Sequence, residues 1–435
     1  MTRLEIRLLC VVWAVALFSC NRPEEPKDQQ PVQPVVDSVR TPVMNGIPIV
    51  GISYEGELRQ SSYTKADIHV FYNGWQGRFD SIPSQGRVKI HGNSTAVRDK
   101  CPYKLKLDVK RNWFGFGDAK QWVLLANSYD ASLLRNYLAM TMGRALGMKD
   151  TPECTYVDVV VNGQYRGNYL LCETPQLAPS RVNHASYLIE VDHRYGEQDS
   201  VLHIPMIQSD DTYIHYRIQE PEAPSQQQMA FLKHFFVRYD SLMVEASHLR
   251  NDMPEARLRL RQELDAVVDF ESFVGFWIVQ EMFSNPDSWN FSSVWMNIKQ
   301  DGKLHMGPLW DFDLAAGNYS TIDAGSDQAN GFYRTEGYYL FTQPYVHHYL
   351  NLYWAEAQQY WRDHRAAILE MIAGLEDVDE ALRASFDANF ELWPSSYFVN
   401  IWCGYDHDAN VEYLYSWLLS RYAWMNQVFN QTGIE

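Results

Sequence analysis

The chain is short of cysteine, of positive charge and of long apolar runs, and each shortage removes a class of function. Six of the 435 residues are cysteine. Cys10 and Cys20 fall in the leader, and Cys101, Cys154, Cys172 and Cys403 follow no metal-ligand spacing, so they read as small core residues with no legible pairing. Lys and Arg number 37 against 54 Asp and Glu, a net charge of −17. That argues against a nucleic-acid partner, because a phosphate backbone demands a basic face, but not against a nucleotide held through a divalent cation. No run beyond the leader is apolar enough to span a bilayer, no internal repeat is present, and Phe114-Gly115-Phe116-Gly117 is a lone Gly-x-Gly that carries no phosphate-loop argument.

What is present describes a folded, exported protein. Hydrophobic residues make up 46% and aromatics 14%, enough for two lobes with substantial cores. Arg3 and Arg7 precede an apolar run from Leu8 to Phe18, the pattern of an export signal and too short for a membrane span. Leu17-Phe18-Ser19-Cys20 resembles the bacterial lipobox, in which the cysteine is lipidated and becomes the mature N-terminus. Residues 1–20 are therefore expected to be a lipoprotein signal peptide with Cys20 lipidated; the rival is a cleaved secretory signal. Residues 21–45 hold Pro23, Pro26, Pro31, Pro34 and Pro42 among polar neighbours, a stiff extended tether. Glu24-Glu25 resembles the surface-export signals of some outer-membrane lipoproteins, which sets the expected location at the outer membrane, with surface exposure as the corollary.

From residue 46 to about 200 the pattern is β-rich. Ala66–Tyr72 alternates and ends at Asn73-Gly74, Val88–Ile90 leads into His91-Gly92-Asn93-Ser94-Thr95, and Tyr103–Asp108 sets Lys104 and Lys106 on its polar face. The Gly-Asn-Ser turn suits either phosphate contacts through backbone N–H groups or a plain hairpin, and the hairpin is simpler. Trp122–Leu125 reads as a strand. Ser132–Leu146 reads as a helix capped by Asp130 or Ser132 and stopped by Gly147. Tyr156–Val161 and Tyr169–Glu173 form a hairpin about Asn162-Gly163. Helices dominate beyond residue 201: Gln226–Ser247, an apolar Phe270–Phe283, an aromatic-rich stretch from Tyr345, and Val411–Phe429. His347 and His348 are adjacent on a helix, do not share a face, and read as structural.

Glu281–Asn318 holds the chemistry. Two β-prone runs, Ser293–Ile298 and Leu304–Leu309, are joined by Lys299–Lys303, whose Asp301-Gly302 pair is a strong hairpin signal. A hairpin returns the chain to its start, so Asp287 and Asn290 before it should meet Asp311 and Asp313 after it. Hard oxygen ligands suit Mg²⁺, and one more Asp can accept the proton of an attacking hydroxyl. For a single Asp, a turn or a strand end is the simpler explanation. For the whole arrangement a site is favoured, because perturbed carboxylates gather at functional sites. Loop Asp, nearby Asn, hairpin, then metal-binding Asp is also the order of parts in a protein-kinase catalytic lobe.

Together the pieces resemble the spore-coat protein H (CotH) kinase family, over roughly Ile47 to Gln431. The matching runs are His91–Ser94, Lys100–Leu107, Trp122–Asn127 with Asp130–Asn136, Asn162–Tyr169 ending at Glu173, Tyr187–Asp192, Asp287–Asn290 and Gly307–Asp313. The resemblance implies an α+β, atypical protein-kinase-like fold of two lobes that binds ATP and Mg²⁺. A β-rich nucleotide-binding N-lobe would span residues 46–200 and a mainly helical catalytic C-lobe residues 201–435. By position it implies Asp287 as the catalytic residue and Asp311 as the metal ligand, with Asn290 and Asp313 as helpers. Lys104 or Lys106 would reach the phosphates, and Glu173 would sit near the adenine.

Two departures qualify the match. Leu133–Leu146 offers no acidic residue to pair with a strand lysine; Arg135 stands there and could address phosphate directly. The Asn follows the catalytic Asp by 290 − 287 = 3 positions, where ordinary kinases place it five on. His91 also stands where relatives often carry Arg. The expected activity is transfer of the ATP γ-phosphoryl to a Ser or Thr hydroxyl of an unidentified protein. One rival is a non-catalytic kinase-fold surface lipoprotein used for binding or adhesion, since ATP is scarce outside the cytoplasm. Another is metal-dependent hydrolysis by the same carboxylates. The polar run Asn318–Thr335 is expected to be a mobile loop at the cleft edge, able to serve activation or substrate docking, with plain disorder as the equal alternative.

Overall fold

Alternation of apolar and polar residues closes the first part of the chain into a barrel. The strands are β1 (Ile49–Tyr54), β2 (Thr64–Tyr72), β3 (Asp80–Ile90), β4 (Tyr103–Asn112), β5 (Asp118–Leu125), β6 (Cys154–Val161) and β7 (Gln164–Glu173). They run in the order β1-β2-β3-β4-β5-β7-β6, and a parallel pairing of β1 with β6 closes the ring. Ala66, Ile68 and Val70 of β2, Leu105 and Leu107 of β4, and Val157 and Val159 of β6 fill the interior around Trp113 and Trp122, whose rings lie 5.1 Å apart. Lys104 and Lys106 alternate with the inward leucines and point outward. Closure leaves the barrel no free edge. The computed structural model describes residues 45–433 apart from 73–79, 193, 197–198, 206–212, 288–292, 319–327, 333–342 and 395–402. Cys20, the leader, nearly all of the tether, Asn290 and most of the Asn318–Thr335 run thus lie outside the described residues.

Helix α1 (Arg135–Ala145) sits between β5 and β6 and starts three residues later than the spacing predicts. Asp130 explains the delay. Its Oδ1 accepts the N–H of Ser132 at 2.9 Å and its Oδ2 that of Arg135 at 2.9 Å, folding residues 130–134 into turns with Leu133 at φ +61°. Gly147, at φ +77°, ends the helical stretch as expected.

Beyond the barrel a second sheet takes the order β12-β11-β8-β10-β9. Its strands are β8 (Ala185–Val191), β9 (Val201–Pro205), β10 (Tyr213–Glu220), β11 (Val294–Lys299) and β12 (Leu304–Met306). The last two form the hairpin anticipated around Asp301-Gly302, pairing Met296 with Met306. One face, with Ile189, Val191, Ile214, Tyr216, Val294 and Met296, lies in the large core. The register puts Glu190 beside Arg217 and Trp295 on the other face.

The helices are α2 (Gln226–His248), α3 (Pro254–Asp265), α4 (Phe270–Phe283), α5 (Gln343–Leu352), α6 (Trp354–Ala373), α7 (Leu375–Leu392) and α8 (His407–Val428). Asp269 caps α4 by accepting the Ser272 N–H at 2.8 Å, and α4 is buried along Phe273–Phe283. A fully buried ion pair ties it to α8: Arg421 Nη2 lies 2.7 Å from Glu281 Oε2, and Arg421 Nε donates to the Glu281 carbonyl at 2.6 Å. Cys101, Cys154 and Cys172 are buried, Cys403 is half-buried, and all four are free thiols.

Removing one member of a buried pair strands the other charge, a loss of about 3–5 kcal/mol. Arg421→Ala is therefore expected to lower unfolding stability by that order, and Arg421→Met with Glu281→Gln by much less. Urea unfolding followed by circular dichroism measures both; equal losses in the single and double variants would show that the pair does not carry this anchor.

Candidate active site

The loop Ser284–Asp287 leaves α4 abruptly. Ser284 adopts φ +44°, turning the chain so that Asn285 is buried and Asp287 half-buried. Asn285 ties both ends of the hairpin. Its Oδ1 accepts the Asp287 N–H at 3.2 Å, and its Nδ2 donates to the Asp311 carbonyl at 3.0 Å. Asp311 stands at φ +69°, a left-handed conformation that costs a non-glycine residue about 1–3 kcal/mol unless its surroundings enforce it. Here they do: the next N–H, of Phe312, donates to Asn136 Oδ1 of α1 at 2.8 Å, and the Phe312 ring packs on Phe283 of α4.

The result brings Asp287, Asp311 and Asp313 together, each offering a carboxylate oxygen within 4.8 Å of the others. Such crowding penalises the charged forms. Burial, then the charge of Asp311, pushes Asp287 up to about 7, with Asp192 adding to it and Arg194 opposing. Burial raises Asp311 too, against the Ser293 hydroxyl that donates to its Oδ2 at 3.0 Å. Asp313 is driven well above the usual carboxylate range by burial, then by Asp311, Asp287 and Asp130. A second acidic group, Asp379, His407 and Asp408, differs in having Arg383 bridging its two carboxylates. Among the described residues no guanidinium bridges the three aspartates in that way. Three converging hard oxygens with raised proton affinity fit a divalent cation that prefers oxygen ligands.

The other expected site residues fare differently. Lys104 is half-buried on the outer face of the barrel, and burial, then Lys89, lowers its amine to about 8 while Glu190 opposes the drop. Lys106 is exposed on the same outer face. Arg135 does not reach outward as expected. It is wholly buried, 2.5 Å from Asp130 Oδ1, with Nε donating to the Ala315 carbonyl at 2.8 Å and Nη2 to that of Ala316 at 3.3 Å. It clamps the segment after Asp313 to α1, and its buried donors are taken up by that task. Glu173 is likewise turned inward. Its Oε2 accepts the Glu153 N–H at 3.0 Å and its Oε1 faces Arg181 Nε at 3.4 Å, while burial raises it to about 7. Arg181 lies over the Trp122 ring, 5.0 Å from its centre, and donates to Thr174. The pair fastens the chain leaving β7 and does not present a carboxylate.

Several contributors escape sequence reasoning. Glu190 is raised to about 7 by burial, then Asp192, against Arg217 and a 2.7 Å hydrogen bond from Gln219. Asp192 Oδ1 accepts from the Arg194 backbone at 2.9 Å and from its Nε at 3.2 Å. Both acids lie in Tyr187–Asp192, and the alternation Leu188, Glu190, Asp192 was the available signal that they share a face.

The sequence profile described as CotH kinase protein matches residues 88–425. No curated protein matches the chain.

The raised aspartates predict a pH signature. Asp287 has a folded value near 7 against about 3.9 unfolded. Its burial favours the folded state fully below the unfolded value, and that benefit is lost as pH rises through about 7. Between pH 4.5 and pH 8 the melting temperature of the wild type should fall relative to Asp287→Asn. Millimolar Mg²⁺ or Mn²⁺ should restore it at pH 8 and leave it unchanged at pH 4.5. Parallel curves for the two proteins, insensitive to the ion, would contradict the electrostatic reading.

Proposed function

Because the chain belongs to the CotH kinase family, we propose that it moves the γ-phosphoryl group of ATP to a Ser or Thr hydroxyl of a protein, between a nucleotide lobe built on the barrel (β1–β7) and a catalytic lobe of the second sheet and helices, which takes β8 with it and so begins before residue 200. The convergence of Asp287, Asp311 and Asp313 carries this reading. Asp311 and Asp313, with Asn290 as a further donor, would hold Mg²⁺; when bound, the ion neutralises charge on the triphosphate. Asp287, beside the two ligands, would take the proton of the acceptor hydroxyl. The acceptor hydroxyl is oriented by the same carboxylate, whose backbone Asn285 fixes. Lys104, near 8, is mostly ammonium at neutral pH and would meet phosphate oxygens. Glu190 takes the part that a helix glutamate plays in ordinary kinases, from a strand. Chemistry of this kind draws most of its acceleration from positioning and charge neutralisation. From the lipobox-like Leu17–Cys20 run and the Pro-rich stretch after it we infer that Cys20 is lipidated and anchors the chain at the outer membrane, facing outward.

Asp287→Asn is expected to retain Mg²⁺-ATP binding in a thermal-shift titration and to lose about 10²-fold or more in phosphate transfer from labelled ATP. Asp311→Asn should lose the Mg²⁺-dependent nucleotide shift itself. Wild-type transfer by either variant would reject the assignment, and no shift for the wild type at millimolar Mg²⁺-ATP would favour a binding module. Separately, Cys20→Ser should move the protein out of the membrane fraction of expressing cells and abolish labelling by a radioactive fatty acid.

A further inference from the structure

The β9–β10 hairpin carries a pair of imidazoles that the phosphotransfer reading does not use. His203 and His215 are directly opposed across the antiparallel strands, and their Nδ1 atoms lie 2.8 Å apart. The rings stand nearly perpendicular, at 80° with centres 5.0 Å apart. Tyr195 packs against both, 5.5 Å from His203 and 5.2 Å from His215. Arg217, two residues along β10 on the same face, is neutralised by Asp199 at 3.0 Å and lies 3.9 Å from Glu190, so its charge does not stand alone against a cation. His203 is exposed and His215 half-buried, and the chain as a whole, at −17, attracts cations.

We propose that His203 and His215 form a nitrogen-ligated site for a divalent transition metal of tetragonal preference, Cu²⁺ above Ni²⁺ and Zn²⁺. Cu²⁺ heads the affinity series for imidazole donors, above Ni²⁺ and Zn²⁺, and two ring nitrogens already 2.8 Å apart need only turn off their shared line to meet one ion about 2.0 Å from each. Without metal, that distance holds one N–H···N hydrogen bond, in which one ring donates and the other accepts; on binding, the bridging proton moves to Nε2 of its own ring or to water, and each Nδ1 gives a lone pair to the ion beside the former bond. Because the ligands sit on neighbouring strands, the bound ion also cross-links edge strand β9 to β10. The site is chemically distinct from the oxygen donors of the aspartate cluster and stands whether or not the chain transfers phosphate.

The test uses the full chain without a polyhistidine tag, titrated with Cu²⁺ and followed by electron paramagnetic resonance. The expected result is one ion per chain with a tetragonal, nitrogen-coupled spectrum, and weaker binding of Zn²⁺. His203→Ala and His215→Ala should each weaken Cu²⁺ binding about tenfold or more, whereas His248→Ala leaves it unchanged. Acidification should release the ion, since protons compete for the same lone pairs. Undiminished Cu²⁺ binding in either variant overturns the proposal, as does loss of binding in Asp311→Asn with both histidines intact. Should His203→Ala fold poorly by circular dichroism, His203→Gln, which keeps a polar side chain on the strand, decides the matter by the same readout.

Discussion

Everything about the site depends on holding three carboxylates where like charges repel. Two unit charges about 5 Å apart interact by about 3 kcal/mol at an effective dielectric constant near 20, and three aspartates within 4.8 Å make three such pairs. A hydrogen bond to a charged group returns about 1.5–3 kcal/mol, so the Ser293 hydroxyl on Asp311 offsets at most one pair. Protonation or a divalent cation must cover the rest. The upward shifts of Asp287 and Asp313 are the protonation route. A cation route uses the same oxygens, and the two compete, which links metal affinity at this place to pH.

Such a cluster persists only if the backbone beneath it cannot relax away. The frame is built from buried polar side chains that bind main-chain groups. Asn285 holds residues 287 and 311, Asn136 holds Phe312, and Arg135 holds Ala315 and Ala316 while paired with Asp130. Asn318 donates to the carbonyls of Asp313 and Tyr129, both at 2.6 Å. Arg421 then fixes Glu281 one turn before the loop. The chain region around α1 and the hairpin of the second sheet are thereby joined through hydrogen bonds that tolerate little shear, so the left-handed Asp311 is held by partners on both sides.

What was legible in the sequence followed from local pattern. Helix α4 appears with the bounds its apolar run suggested, because a segment buried all round has no competing face. The Asp301-Gly302 turn fixed the hairpin, and with it the meeting of Asp287, Asp311 and Asp313. What was not legible was the choice of partner across long separations. Nothing near Arg135 says that Ala315 and Ala316 will consume its donors, 180 residues on. Nothing near Glu173 names Arg181 rather than a ligand as its neighbour. The parallel β1–β6 pairing that closes the barrel joins segments whose own alternation suits an open sheet equally well. The turn at Asp130 outcompeted helix propensity at Ser132–Leu134 because one carboxylate there satisfies two N–H groups at once.

Helix α1 carries no acid, and the acid that acts on Lys104 lies in the second sheet. Burial, then Lys89, lowers the Lys104 amine to about 8, and the charge of Glu190 opposes them. Glu190, itself raised to about 7, accepts from Gln219 at 2.7 Å and lies 3.9 Å from Arg217. A strand acid is held by its register with neighbouring strands, whereas a helix acid can leave when its helix swings. Glu190 is thus fixed by the same sheet whose hairpin gathers the aspartates, and α1 uses its buried Arg135 to pin the loop beyond Asp313. The acidic end of the hairpin is held from both directions, by the register of that sheet and by the buried side chains of α1.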